Sequence, residues 1–323
     1  MQKKDSGQSF LGLGLLWWMI IGAGIGIVLP YIIPIFYLHI VVEGLCMALL
    51  ALSFNLLFGY MGQLSFGQAA FYGIGGYTVA MLVTKTDIPF FLTLPAGIIL
   101  ASIFGLIVGY FCVRLRGIYF AVLTLAFGQL IFVIIYEWYG FTGGDDGIQN
   151  IFPPAFLKSA IWYYYFVLII FVAATIFMLK LVNSPFGYTL KAMRENPERT
   201  EFVGINIRRY QLVAFVIAAA FAGLAGVLWA PFNRSVSPFM LTWIVSGEPV
   251  MATILGGPYV LLGPVVGTFI YILIHSFILG FTYYWAFILG CIILAVVLFL
   301  PGGILGYFQE KVQARRAKEG RAP

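Results

Sequence analysis

The stretch PVMATILGGPYVLLGPVVGTFIYILIHSFILGFTYYWAFILGCIILAVVLFLPGGILGYFQ, residues 249–309, contains no aspartate, glutamate, lysine or arginine. A helix needs about 20 apolar residues to cross the hydrocarbon layer of a membrane, so this stretch is too long for one helix. Glycines and prolines interrupt it, and such residues end or bend helices. We predict a short segment near 243–255, a helix over 263–279 and a helix over 282–300.

The composition of the whole chain also indicates a membrane protein. Of its 323 residues, 62% are apolar and 9% are charged, whereas soluble domains have about 45–50% and about 25%. An aromatic content of 18% excludes a disordered chain, and three cysteines are too few for a disulfide scaffold. The net charge of +6 does not indicate nucleic-acid binding, because the basic residues lie between apolar runs rather than in one water-facing patch.

Seven further apolar runs precede this stretch. The first is longer than the apolar core of a signal peptide and no cleavage site follows it, so we expect a retained helix. Six glycines in the third run predict a bent or partly re-entrant segment. The predicted spans are 10–30, 35–57, 59–84, 90–113, 117–136, 160–179 and 210–232.

Lysines and arginines in short loops favour the cytoplasmic side of a membrane, and they orient these spans. If the amino terminus is inside, only Lys85, Lys158 and Arg234 fall outside, and the other fifteen of the 18 fall in cytoplasmic pieces. Because the carboxyl-terminal tail then also lies inside, an odd number of crossings must follow the span 210–232. Either the short segment near 243–255 crosses as well, which gives ten spans, or one of the longer runs does not cross; we favour ten.

The sequence thus predicts an all-α fold, a polytopic transmembrane helix bundle of about ten spans (eight to ten) with both termini cytoplasmic. Glycines four residues apart, such as Gly105 and Gly109 or Gly263 and Gly267, indicate that the helices pack closely. The expected parts are a cytoplasmic amino-terminal segment (1–9), a transmembrane domain (10–306) that includes the cytoplasmic loop 183–209, and a basic cytoplasmic tail (307–323).

The cytoplasmic loop 183–209 has the pattern of two short helices. Ser184 and Pro185 are typical of an N-cap and a first helical position, and Asn196 with the proline after it restarts the pattern. Gly204 is typical of a residue that ends a helix. Two capped helices with a basic face and an apolar face form a docking element, although a solvated loop with positive-inside charge explains the pattern equally well.

The chain lacks the sequence motifs of common enzymes. It contains no G-x-x-x-x-G-K-[ST] phosphate loop, no H-E-x-x-H zinc motif and no G-x-S-x-G nucleophile elbow. Its histidines, His39 and His275, lie in different predicted spans. We therefore expect no catalytic, cofactor-binding or metal-ligating residues, and a protein that is not an enzyme.

Polar side chains inside membrane spans either mark a polar route through the bundle or bond neighbouring helices. Glu248 needs a partner, and Arg234 is the nearest basic residue in the sequence. His39 and Glu43 lie one turn apart, and we expect them to form a polar pair near the external interface. The candidates for the route are Gln63, Ser65, Gln68, Thr124, Gln129 and Glu248.

Several stretches of the chain resemble a known family. They include GQLSFGQAAFYGIGGY (62–77), RGIYFAVLTLAFGQ (116–129), TGGDDG (142–147) and SGEPVM (246–251). In this order, and together with the cytoplasmic loop, they are similar to the permeases of branched-chain amino-acid ABC importers, of the type called LivM in the LivH/LivM permease family. The resemblance covers roughly residues 40 to 306.

The resemblance implies a multi-pass subunit of a bacterial inner-membrane uptake system for leucine, isoleucine and valine. Its partners would be a second permease of the LivH type, two cytoplasmic ATPases that bind the ATP, and a periplasmic or lipid-anchored substrate-binding protein. The chain itself would bind no cofactor. In such importers a cytoplasmic loop couples to the ATPases, and the resemblance places this role on Ala192, Arg194, Glu195 and Gly204.

Alternatives stay open at three points. The external loop with Asp145 and Asp146 is either a solvated hairpin or, as we expect, the surface that docks the binding protein. Related permeases carry urea, short amides or other small polar solutes, so the same architecture with such a substrate is the first alternative function. The second is an ion-coupled secondary transporter, which would need intramembrane carboxylates, and only Glu43 and Glu248 are available.

Overall fold

A computed structural model gives the fold of most of the chain, and helices make up almost all of it. The predicted segment 1–9, most of the first predicted span and most of the basic tail lie outside the described residues. The structure describes residues 26–86, 88–279, 284–300 and 302–307, together with residues 22, 24 and 311.

Long helices joined by short turns form the described part of the chain. Smaller elements are a π-helical turn at Leu56–Tyr60, an α-helical turn at Tyr139–Thr142, and 3-10 turns at Gly144–Asp146, Ala155–Leu157 and Pro238–Leu241. The short strands β1 (Ile148–Gln149) and β2 (Ser235–Val236) pair antiparallel. The helices are α1 (Ile35–Asn55), α2 (Gln68–Lys85), α3 (Phe90–Cys112), α4 (Ile118–Glu137), α5 (Ala160–Val182), α6 (Pro185–Glu195), α7 (Pro197–Phe202), α8 (Ile207–Asn233), α9 (Trp243–Gly256), α10 (Gly263–Leu279) and α11 (Trp285–Phe299).

These helices confirm an all-α, polytopic membrane architecture. Helices α1, α3, α4, α5 and α8 begin and end within a few residues of predicted spans. Large apolar side chains such as Ile99, Ile103 and Leu106 of α3 are exposed, as a lipid-facing surface requires. Six segments are long and apolar enough to cross a membrane, namely Ile35–Tyr60, Phe90–Cys112, Ile118–Glu137, Ala160–Val182, Ile207–Asn233 and Ala286–Tyr307.

The glycine-rich third run is broken, as its composition predicts. The chain leaves α1 through the π-helical turn Leu56–Tyr60, runs irregularly over 61–67 and enters α2 at Gln68. Gly62 has a φ of 75°, a conformation that residues with a Cβ rarely adopt. Irregular backbone at membrane depth has to be surrounded by protein, and Ser65 in this segment is fully buried.

The predicted short segment near 243–255 forms helix α9, which is too short to span a bilayer unaided. Its 14 residues extend about 21 Å, against a hydrocarbon layer of about 30 Å. The 3-10 turn Pro238–Leu241 extends it at one end. At the other end α9 packs tightly on α10. A Cβ added to Gly256 would collide with the carbonyl of Gly263, so only glycine allows this approach.

Helix α8 lies at the centre of the bundle and packs against α1, α2 and α3. Small residues allow this approach, since a Cβ added to Gly226 of α8 would collide with the carbonyl of Tyr72 in α2. Gly105 of α3 likewise lies directly against Ala219 of α8. Close helix packing at glycines, predicted from their four-residue spacing, is therefore confirmed.

Candidate functional site

A cavity of about 260 Å³ lies between α1, α9 and α10. Helices from distant parts of the chain form it, so its polar groups are brought together only by the tertiary fold. Helix α9 supplies one predicted route residue, Glu248. The cavity is lined by Glu43 and Met47 from α1, Glu248 and Ala252 from α9, and Tyr271 and His275 from α10, among others.

Arg234, the basic residue nearest to Glu248 in the sequence, forms no ion pair with it in the described structure. Arg234 ends α8 with a left-handed backbone, φ 57°, and its guanidinium lies 5.9 Å from the ring centroid of Phe152. Glu248 instead faces the cavity. Arg234 is near Glu248 in the sequence but not in the fold, because the turn after α8 directs Arg234 away from the bundle interior.

The one-turn spacing of His39 and Glu43 does not make them a polar pair within the described structure. The ring of His39 lies 5.0 Å from that of Phe232 in α8, whereas Glu43 lines the cavity beside Glu248. Glu43 therefore belongs with a residue more than two hundred positions away, which no local spacing could indicate.

Four of the predicted route residues hold the broken segment in place. The Gln63 side-chain oxygen accepts a hydrogen bond from the Gly117 N–H at 3.0 Å, and Thr124 Oγ1 accepts one from the Phe66 N–H at 3.1 Å. These bonds attach the irregular backbone of 61–67 to the start of α4. Of these groups, the Thr124 side chain is buried, where an unpaired hydroxyl would be costly.

The other two of these four, Ser65 and Gln68, bond to each other and to α1. The Gln68 amide donates to Ser65 Oγ at 3.5 Å, and the Ser53 hydroxyl lies 3.2 Å from Gln68 Oε1. Ser246 of α9, which the sequence did not single out, accepts a hydrogen bond from the Ala69 N–H at 3.1 Å. Among the predicted route residues this leaves Gln129, half-buried in α4, and Glu248.

Apolar residues and two buried polar groups of α1 and α9 lie next to the cavity. Ala51, two turns after Glu43, packs with Ala252 and Leu255. One further turn along α1, the Asn55 amide is buried with no hydrogen bond to the described residues, and the Thr253 hydroxyl of α9 is in the same situation.

The loop 183–209 folds as the predicted pair of short helices, α6 and α7, called here the α6–α7 hairpin. Asn196 caps α7, because its side-chain oxygen accepts a hydrogen bond from the Arg199 N–H at 3.0 Å. Ser184 occupies the predicted N-cap position of α6, but its hydroxyl donates backwards to the Leu181 carbonyl at 2.6 Å. Leu190 is buried in the predicted apolar stripe.

The four predicted coupling residues lie on two sides of this hairpin. Ala192, Glu195 and Gly204 are exposed to solvent. Arg194 faces the bundle instead, where its guanidinium donates to the carbonyl of Gly59 and lies 5.0 Å from the ring centroid of Tyr259. Arg194 thus connects α6 to the turn that follows α1 and to the loop between α9 and α10.

Lys191 of the hairpin lies against two aromatic rings and is partly buried. The Nζ atom of Lys191 lies 5.4 Å from the ring centroid of Tyr60 and 5.1 Å from that of Tyr188. Burial, and to a lesser extent the nearby Arg194, lowers the pKa of Lys191. Both contacts place the ammonium over aromatic faces, which attract a cation.

Two exposed apolar residues at the tip of the hairpin escaped the sequence analysis. Phe202 is 90% exposed and Val203 is 80% exposed, and they precede Gly204, whose φ is 91°. Loop tips are usually polar, so two apolar residues between Glu201 and a glycine were the feature of the sequence that could have indicated a contact surface here. Such a pair is typical of a protein contact.

The loop with Asp145 and Asp146 contains the 3-10 turn Gly144–Asp146 and contacts to neighbouring residues. Both carboxylates are exposed, and Asp146 accepts a hydrogen bond of 2.5 Å from the Tyr139 hydroxyl. That bond, followed by the charge of Asp146, raises the pKa of Tyr139. Lys85 anchors the loop to α2 by donating to the Phe141 carbonyl at 2.6 Å.

Comparison with known proteins gives consistent matches over most of the chain. A family model described as "Branched-chain amino acid transport system / permease component" matches residues 36–297. The high-affinity branched-chain amino acid transport system permease protein LivM of Escherichia coli (strain K12) is 28% identical over 284 residues, which cover 80% of this chain and 67% of that protein.

Other relatives carry similar names. LivM of Salmonella typhimurium is also 28% identical over 284 residues, covering 80% of this chain and 67% of that protein. The permease protein BraD of Pseudomonas aeruginosa is 27% identical over 296 residues, covering 84% of this chain and 96% of that protein. No solved structure gives a significant match.

Proposed function

Because the chain belongs to the family of permease components of branched-chain amino acid transport systems, we propose that it is a membrane-spanning subunit of an ATP-driven importer for leucine, isoleucine and valine. The observation that carries this proposal is the family match over residues 36–297, which includes the cavity, the broken segment and the α6–α7 hairpin. The chain is a transport subunit, and ATP is bound and hydrolysed by separate subunits, so the chain itself holds no cofactor.

The proposed topology has ten crossings, both termini in the cytoplasm, and a bacterial inner membrane as its location. The six long segments, the helices α2, α9 and α10, and the first predicted span (10–30), most of which lies outside the described residues, would make up this count. This arrangement puts the α6–α7 hairpin inside the cell and the loop of Asp145 and Asp146 outside. The distribution of basic residues supports it.

In this proposal, two ATPases dock on the inner ends of the permease pair, one of them on the α6–α7 hairpin. Phe202 and Val203 supply an apolar contact, with Ala192, Glu195 and Gly204 around it. Movement of the hairpin would reach the rest of the chain through Arg194, whose guanidinium contacts Gly59 and Tyr259. These contacts lie directly beyond α1 and α9, the helices that line the cavity.

The remaining proposed partners are a second permease of the LivH type and an external substrate-binding protein. LivH proteins of the same transport systems are themselves relatives of this chain, at 26% identity over 290 residues for the Escherichia coli protein, 81% of this chain and 92% of that one. The exposed carboxylates of Asp145 and Asp146 offer the binding protein an acidic surface, held in place by Tyr139 and Lys85.

For the substrate route we retain Glu248 and Gln129 of the predicted residues. Gln63, Gln68 and Thr124 each have a polar atom bonded to a neighbouring segment, and Ser65 bonds to Gln68 and to the Gly67 N–H. We therefore assign these four to fixing the broken helix beside the route rather than to contacting the substrate.

The test is reconstitution of the chain with its partner subunits and binding protein in ATP-loaded proteoliposomes. Uptake of radiolabelled leucine should occur and should be competed by isoleucine and valine, but not by urea or acetamide. Uptake of urea without uptake of leucine would replace the proposed substrate with the first alternative.

A further inference from the structure

We propose that the cavity between α1, α9 and α10 is a substrate subsite in which Glu43 and Glu248 bind the α-ammonium group of the transported amino acid. This inference rests on the proposed function and adds to it a recognition site within the permease itself. It also narrows the substrate class to solutes that carry a positively charged amine.

The first argument is the charge of the cavity. Glu43 and Glu248 both line it, and its lining contains no lysine or arginine. Within the described part of the chain neither carboxylate forms a salt bridge. Arg234 lies on Phe152, and the basic side chain in the cavity lining is His275. Two acids facing one cavity inside a membrane protein are costly without a cation, and a substrate ammonium would supply the missing charge and strong hydrogen bonds.

The second argument is Tyr271, on the α10 wall of the same cavity. Its side chain is only 7% exposed, and its ring stacks on that of His275 with centroids 5.9 Å apart. The Tyr271 hydroxyl has no hydrogen-bond partner among the residues that the structure describes. A hydroxyl on the cavity wall with no bond to the described protein is available to a polar group of a ligand.

The size and apolar surface of the cavity also suit a small amino acid. Its volume of about 260 Å³ lies near the lower end of ligand pockets, which run from roughly 300 to 1,000 Å³. Met47, Ala252 and Ile272 provide an apolar wall beside the two carboxylates. A neutral solute such as urea can donate hydrogen bonds to the two carboxylates but cannot neutralise their charge, so the cavity favours an amino acid over the amides.

The route would continue from this subsite towards the α6–α7 hairpin. Ala51, Ala252 and Leu255 pack together next to the cavity. Asn55 lies one turn after Ala51 on α1, Thr253 lies between Ala252 and Leu255 on α9, and neither side chain has a hydrogen bond to a described residue. Separation of α1 from α9 would open this apolar contact and let the two polar groups meet the moving ammonium or water.

The first experiment measures leucine uptake by the assembled transporter with Glu43→Gln and Glu248→Gln. Each change keeps the side-chain shape and removes the charge, so we expect uptake to fall at least about tenfold, which corresponds to about 1.4 kcal/mol. Glu248→Asp should recover part of the loss. The matched control is Glu137→Gln, an exposed acid at the end of α4, which should transport like the unchanged protein.

The second experiment detects occupancy without relying on transport. Ser276, which lines the cavity and is exposed, is changed to Cys in a Cys291→Ser background, because Cys291 is the exposed native cysteine within the described residues. Leucine should slow maleimide labelling of this cysteine in the assembled transporter. N-acetylleucine, which has the same side chain without the ammonium, should not, and Glu248→Gln should abolish the protection by leucine.

The outcomes separate this inference from the proposed function. If the unchanged assembly shows no ATP-driven leucine uptake, the proposed function is wrong. If it transports leucine and both Gln variants transport equally well, the subsite alone is wrong. Equal protection by N-acetylleucine, or by sodium chloride at the same concentration, would likewise overturn the assignment of an amino-acid ammonium site.

Discussion

At the scale of single residues, Gly226 shows how closely the helices approach. A Cβ at this position would collide with the Tyr72 carbonyl of α2, whereas one at Gly290 of α11 meets nothing within 4 Å. We expect Gly226→Ala to lower the stability by about 1–3 kcal/mol, because backbone cannot yield as a side-chain end can. Gly290→Ala should be neutral or stabilising by about 0.5–1 kcal/mol. Thermal unfolding in detergent compares the two, and equal midpoints would contradict the packing described.

A pH prediction concerns Tyr139. The hydrogen bond to Asp146, and then the charge of Asp146, raises the pKa of Tyr139 above its usual value of about 10. The pKa of Tyr139 is higher in the folded protein than in the unfolded one. The stability that this shift adds to the folded state is therefore fully present below the unfolded pKa and is lost as the pH rises through the folded pKa. Asp146→Asn should therefore lower the pKa of Tyr139.

Ultraviolet absorbance of tyrosinate, measured as the difference between each protein and its Tyr139→Phe counterpart, gives this pKa. Asp145→Asn is the matched control, since Asp145 influences Tyr139 only through its charge and contributes least. An equal shift in the two variants would mean that the hydrogen bond is not the cause.

Sequence reasoning located the polar residues but could not assign their partners. Glu248 stands out in any apolar run, and it does line the cavity. Its companions Glu43 and Tyr271 lie on helices that are far apart in the sequence, so only the tertiary fold brings them together. Gln68 and Thr124 were candidates for the same reason as Glu248, and their hydrogen bonds to neighbouring segments became visible only with the coordinates.

At the scale of elements, the α6–α7 hairpin carries the prediction of coupling. Phe202→Ser should reduce co-purification of the ATPase subunits and leucine-stimulated ATP hydrolysis, because it removes the apolar side chain at the exposed tip. Its 90% exposure means that the folding of the chain itself should be unaffected. The matched control is Phe239→Ser in the 3-10 turn before α9, at 60% exposure.

If Phe202→Ser leaves ATPase binding unchanged, the tip is not the contact. If both phenylalanine changes weaken binding equally, the effect comes from the stability of the chain rather than from the hairpin. Only a selective loss at Phe202 agrees with the proposed coupling.

Most helices could be predicted from the sequence because neighbouring residues decide where each helix begins and ends. The length of the apolar runs predicted α3, α4, α5 and α8, and the glycines of the third run predicted its break before Gln68. The hairpin followed from Asn196 and the proline after it. What local reasoning missed was the direction of side chains, as with Ser184, whose hydroxyl bonds backwards to Leu181 instead of capping α6.

At the scale of the whole molecule, the proposed topology predicts which surfaces are inside. In a Cys291→Ser background, Glu201→Cys on α7 and Lys158→Cys before α5 are both exposed positions. A membrane-impermeant maleimide should label position 158 in intact spheroplasts and position 201 only in inverted vesicles. Labelling of both from one side would contradict the orientation derived from the basic residues.

The central claim is that ATP, acting through partner subunits, drives branched-chain amino acids through this chain. The most direct test is leucine accumulation in proteoliposomes that hold the complete transporter, with ATP supplied or withheld and with ionophores present or absent. Leucine should accumulate only with ATP, and at the same rate when ionophores collapse all ion gradients. Accumulation without ATP that the ionophores abolish would identify an ion-coupled secondary transporter and contradict the account.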